Sequence, residues 1–148
     1  MYQTGCNAYR QSAGNAVEDK RIVLLKLYDG VLRFIAQAQR GIQEGAPKIR
    51  GENISKAMAI IEELSCALDM ERGGQLSAQL DGLYRYVINL LTMANVHNDI
   101  SALGKASGIL ATLKEGFETA VREQKMAVAA PPQAEGGARI PEGVRFAI

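Results

Sequence analysis

At 148 residues, 47% hydrophobic and 22% charged, the chain is sized for one domain with a core of its own. Its 17 basic and 16 acidic residues leave a formal charge of +1, which gives nucleic acid and anionic membranes no electrostatic reason to bind. Two cysteines, Cys6 and Cys66, are too few for a disulfide framework and read as reduced thiols. Residues 1–5 lack the basic start and apolar run of a signal peptide, and no stretch approaches the ~20 apolar residues of a membrane span. The expectation is a soluble, cytoplasmic protein without membrane insertion.

Residues 1–18 are small and polar and read as an N-terminal arm. A helical pattern follows over residues 19–44, with Asp19 placed to cap it. Leu24, Leu27, Tyr28, Val31, Ile35, Ala38 and Ile42 stack on one face. Gly45, Ala46 and Pro47 break this helix. A second helix is predicted from near Asn53, with Ile54, Ala57, Met58, Ile61, Leu64 and Leu68 as its stripe, and Gly73-Gly74 as the turn after it. The third carries Leu76, Leu80, Leu83, Tyr84, Val87, Leu91 and Ala94, and ends in a polar corner over residues 95–99. The fourth, capped by Asp99, carries Leu103, Ala106, Leu110, Leu113, Phe117, Ala120 and Val121.

No sustained period-two alternation suggests a strand, and short loops between helices of similar length imply antiparallel neighbours. The expected fold is therefore all-α, an antiparallel up-down four-helix bundle over residues 19–125. Residues 126–148 form a C-terminal tail. Its first part, residues 127–139, is Ala-, Pro- and Gly-rich and reads as a flexible linker. Its end, residues 140–148, holds Ile140, Val144, Phe146 and Ile148, and is either disordered or an extended segment docked on the bundle.

The residues of an enzyme are missing. His97 is the sole histidine, so neither a di-iron bundle nor a zinc site can be assembled. No P-loop, nucleophile elbow or dinucleotide fingerprint occurs. Cys66 has no base to activate it, and Glu62 and Glu63 diverge by about 100° on a helix. The expectation is a non-enzymatic chain without cofactor or metal.

What stands out instead is surplus apolar surface. On the first helix Ile22, Leu25, Leu32 and Ala36 lie about 80–160° from Leu24, beside the main stripe. They face either a second neighbour or a partner. On the third helix Tyr86, Ile88 and Met93 fall off the main stripe. The fourth helix has small residues at Ser101, Gly104, Gly108 and Ala111. Two helical glycines on one face call for a reason, since each costs about 1 kcal/mol against alanine. Close approach of a neighbouring helix is the first reading, and approach of a bound peptide the second. Exposed apolar surface on a small bundle marks a binding module, and the natural ligand of a groove between helices is an amphipathic helix.

An ordered set of strings resembles the FliS family. Leu27-Tyr28-Asp29-Gly30 with Val31-Leu32-Arg33-Phe34 looks like its first-helix signature. Ser55-Lys56-Ala57, Ile60-Ile61-Glu62-Glu63-Leu64, Leu68-Asp69, Gly73-Gly74, Leu83-Tyr84 with Tyr86, Ala94-Asn95 and Asn98-Asp99 follow in order. Tyr2 and Ala8-Tyr9 resemble the family's start, so the likeness spans about residues 2–124. The chain departs from the pattern at Asp19-Lys20, where Ser-Pro is frequent, at Phe117, where tryptophan is common, and in a longer tail.

The resemblance implies a cytoplasmic export chaperone. Its partner would be the C-terminal segment of flagellin, which becomes helical on the bundle and cannot polymerise prematurely. Delivery to the flagellar export gate and contacts with other flagellar regulators are implied in the same way. The alternative is a helical regulatory protein that sequesters a transcription or secretion factor. The partner-binding residues expected are Tyr9 in the arm, Ile22, Leu25, Tyr28, Asp29 and Leu32 in the first helix, and Tyr86 and Met93 in the third. Asn95, Asn98 and Asp99 complete the set at the corner, where they would satisfy backbone groups at cargo helix ends. Asn98 as a turn residue and Asp99 as a helix cap are local roles that compete with this assignment.

Overall fold

The structure is a computed structural model that describes the backbone of residues 17–129 and the side chains of residues 20–123. Four helices occupy the described residues: α1 (Val17–Gln43), α2 (Pro47–Cys66), α3 (Met70–His97) and α4 (Ile100–Ala129). Each packs on its neighbours in the chain, and α4 closes the ring against α1. Connections this short allow only antiparallel neighbours, so the expected all-α bundle is the observed fold.

The core collects one stripe from each helix. Leu24, Val31 and Ile35 of α1 meet Ile54, Ile61 and Leu64 of α2, Val87 and Leu91 of α3, and Leu103 and Leu110 of α4. Burying such side chains stabilises by about 1.5–3 kcal/mol each. Across the bundle, the Tyr28 and Tyr84 hydroxyls share a buried hydrogen bond of 2.6 Å. Phe117 lies beside Tyr28, with ring centroids 6.3 Å apart. Burial of the rings holds both phenols above the ordinary tyrosine value of 10.0, Tyr84 furthest.

Several boundaries differ from the sequence expectation, and capping explains most of them. α1 begins by Val17, so Asp19 lies inside the first turn rather than before it. Its far end is a Schellman closure: the Ala46 amide donates to the Gly41 carbonyl at 2.7 Å and the Gly45 amide to Ile42 at 3.2 Å, with Gly45 at φ 65°. α2 then starts at Pro47, well before Asn53, because proline has no amide to leave unsatisfied in a first turn. The start of α2 passes so near α1 that a Cβ on Gly41 would come within 2.7 Å of the Arg50 nitrogen.

α2 stops at Cys66, ahead of the glycine pair. Asp69 caps α3 by accepting from the amides of Glu71 and Arg72 at 3.1 and 3.0 Å. The buried Ser77 hydroxyl donates to the Asp69 carbonyl at 2.9 Å. The Gly73-Gly74 pair therefore lies within α3, whose path is interrupted at Gly74 (φ 51°, ψ −125°). α3 runs on to His97, so the corner is only residues 98 and 99. α4 continues to Ala129, past the expected end near Lys125 and into the stretch read as linker. Cys66 is disulfide-bonded, which corrects the expectation of a reduced thiol there; Cys6 lies outside the described residues.

Candidate partner-binding face

The outward side of α3 carries the largest run of exposed apolar residues. Beyond Gly74 the helix is regular, and Gly82, Tyr86, Asn89, Met93 and Val96 recur at alternating spacings of four and three. On a helix such residues stay within about 40° of one line. All five face solvent. Val96 is 69% exposed, Tyr86 49% and Met93 48%. Nothing lies within 4 Å of where a Gly82 side chain would begin. The opposite side of the same helix is the core stripe with Tyr84, Val87, Leu91 and Ala94.

α2 contacts one flank of α3 through the Ser65–Asp81 hydrogen bond (2.6 Å) and the Arg50–Asn95 bond (3.4 Å). The other flank faces α4, and Leu83 and Leu90 point that way by helical geometry. Leu83, placed in the core stripe from sequence, is in fact partly open to solvent. On α4 the small residues Ser101, Gly104, Gly108 and Ala111 are not where two bundle helices meet. Apart from partial burial elsewhere on the helix, these four positions are exposed, and nothing lies within 4 Å of an added Cβ on Gly104 or Gly108. The neighbour reading of this stripe is thereby overturned.

The residues expected to bind a partner do not form one patch. Tyr86 and Met93 belong to the α3 face. Ile22, 51% exposed, and Asp29 lie on the outward side of α1, which sits diagonally across the bundle from α3. Asp29 is ion-paired to Lys114 of α4, which also reaches Glu118 at 3.4 Å. The hydrogen bond to the Asp29 carboxylate holds the Lys114 ammonium above its ordinary range. Leu25 and Leu32 are half-buried against the core, as a helix touching two neighbours requires. Tyr28 is 2% exposed and belongs to no surface. Tyr9 lies outside the described residues.

Asn95, Asn98 and Asp99 do gather at the α3–α4 corner, and each has a partner within the chain. The Arg50 guanidinium donates to the side-chain carbonyls of Asn95 and Asn98. Asn98 adopts the left-handed conformation (φ 56°, ψ 34°) that ends α3. Asp99 accepts from the Ser101 hydroxyl at 2.7 Å and from the amides of Ser101 and Ala102 at 3.0 and 3.3 Å. Those bonds, the Ser101 hydroxyl foremost, hold its carboxyl below the ordinary carboxylate value.

Val96, Gly82, Asn89 and Arg50 were not singled out from the sequence. The four–three spacing from Tyr86 through Met93 points directly to Val96, but reading the corner from residue 95 hid it. Among the described residues no helix is long and apolar enough to cross a membrane, and no cluster of three or more His, Cys, Asp or Glu side chains is placed to hold a metal ion.

Comparison with known proteins agrees with the sequence resemblance. Residues 2–124 match the family described as Flagellar protein FliS. The chain is 30% identical over 123 residues to the flagellar secretion chaperone FliS of Bacillus subtilis, covering 83% of this chain and 90% of that one. It is 32% identical over 120 residues to the protein of the same name from Salmonella typhimurium, covering 78% and 88%. Against the flagellar secretion chaperone FliSB of Pseudomonas aeruginosa it is 41% identical over 92 residues, covering 62% and 73%.

Proposed function

Because this chain belongs to the FliS family of flagellar proteins, we propose that it binds the C-terminal helix-forming region of flagellin in the cytoplasm. In that role it keeps flagellin from polymerising early and delivers it to the export apparatus. A chaperone role in flagellar export goes with the family, and a chaperone is not an enzyme class. The flagellin partner, the export gate and the cytoplasmic site of action are the proposed detail.

One observation carries the reading. The outward face of α3 presents Tyr86, Met93 and Val96 in a four–three register with Gly82 and Asn89. An amphipathic helix lays its own apolar line along such a register, and a glycine at one position lets it come close. The face is not needed for the fold, since the core stripe of α3 is a separate line of residues. Ile22 on the diagonal side of the bundle is reached only by a ligand that wraps. A segment that folds as it binds loses about 2–5 kcal/mol to ordering, so its affinity stays moderate and release at the gate remains feasible.

Calorimetry with flagellin and with flagellin lacking its C-terminal segment tests the proposal. Binding is expected for the first and none for the second. Tyr86→Asp and Met93→Asp should each weaken binding at least tenfold with helix content unchanged. Equal binding by both flagellins, or by neither, overturns the reading.

A further inference from the structure

We infer that the end of this chain, residues 140–148, docks in extended form along the outward face of α3 and covers Tyr86, Met93 and Val96. The face and the segment match in chemistry. Val144, Phe146 and Ile148 alternate with Gly143, Arg145 and Ala147, which in an extended chain puts three apolar side chains on one side. The face offers an aromatic ring, a thioether and a branched aliphatic side chain with no cover from any described element.

The lengths match as well. Val144 to Ile148 spans about 13 Å when extended, and Tyr86 to Val96 spans about 15 Å along the helix. The route is open because α4 runs back along α3 and its last residue, Ala129, lies beyond the start of α3. From there to the level of Tyr86 is roughly 27 Å along the bundle, plus about 10 Å across. Residues 130–143 can stretch over about 50 Å, so Val144 reaches the level of Tyr86 with slack and the remainder runs on toward Val96. Pro131 and Pro132 favour an extended path, and Gly136 and Gly137 let it turn onto the face.

The occupant is thus the chain's own end, held at high effective concentration by its tether. If the α3 face also takes flagellin, as proposed above, the tail is a built-in competitor that flagellin must displace. That consequence rests on the proposed function; the docking itself does not.

Hydroxyl-radical footprinting of the full-length protein, with no flagellin present, tests the docking. The wild type is compared with Phe146→Asp and with Val144→Asp/Phe146→Asp/Ile148→Asp. Oxidation of Met93 is expected to rise at least threefold in the variants, with Tyr86 following, while the half-buried Met58 of α2 stays unchanged and so excludes loosening of the bundle. Equal Met93 rates in all three proteins overturn the inference and leave the flagellin reading standing. Protection of Met93 that disappears on dilution assigns the cover to a second copy, which also overturns it. With flagellin added, the triple variant should bind about three- to tenfold tighter than wild type.

Discussion

α1 and α3 both carry more apolar residues than one stripe requires, yet the bundle disposes of the surplus differently. On α1, Leu25 and Leu32 turn toward α4 and pack against the core, because that helix lies between two close neighbours. On α3, Tyr86, Met93 and Val96 point away from both α2 and α4, and none of the described helices covers them. An apolar excess in a sequence therefore has two meanings. It is structural where a second helix lies within reach and open surface where none does, and the helix's own pattern is the same in both cases.

The tyrosine pair that ties these two helices together gives the largest expected effect. Tyr84→Phe leaves the buried Tyr28 hydroxyl without its partner and should cost about 1–3 kcal/mol in urea unfolding, whereas Tyr28→Phe/Tyr84→Phe removes both hydroxyls and should be nearly neutral. The pH dependence follows from the raised phenol values. Above the ordinary tyrosine value the unfolded chain loses protons that the folded chain retains. This part of the stability is complete below pH 10.0 and is lost as pH rises through the folded values. The double variant should decline less steeply than wild type in alkaline urea titrations.

Gly74→Ala is next, because its backbone angles lie where only glycine is comfortable; a loss of about 1–3 kcal/mol in thermal or urea unfolding is expected. A direct attack on the comparison is Leu32→Ala beside Met93→Ala. The half-buried Leu32 should cost about 1–2 kcal/mol, while Met93 should stay within about 0.5 kcal/mol. Equal losses at the two positions would erase the distinction between structural and open surplus. The smallest effect is a gain: Gly82→Ala meets open space on the α3 face and should stabilise by up to about 1 kcal/mol through helix propensity. The same methyl group stands on the proposed docking line, so flagellin affinity should fall as stability rises.

Much of the fold was readable from the chain because helix periodicity and apolar burial are properties of short stretches. Leu24, Ile61, Leu91 and Leu110 declare their face by spacing alone, and all four are buried. Helix ends were read less well. Capping at Pro47, Asp69 and Asn98 depends on one or two residues whose types also suit ordinary turns. The corner residues Asn98 and Asp99 have their helix-ending and helix-capping roles written in their residue types, but the Arg50 bridge between α2 and the corner joins positions far apart in sequence.

The sequence by itself determined that this protein is a four-helix bundle with apolar residues to spare, since those properties follow from residue type and spacing along one helix. Only the tertiary structure decided where the spare residues go. It closed α4 over Leu25 and Leu32, sank Tyr28 into the core, turned Gly104 and Gly108 outward and left Tyr86, Met93 and Val96 without cover from any described helix. Whether an apolar side chain ends inside or outside depends on the distance to the next helix, which no single helix specifies.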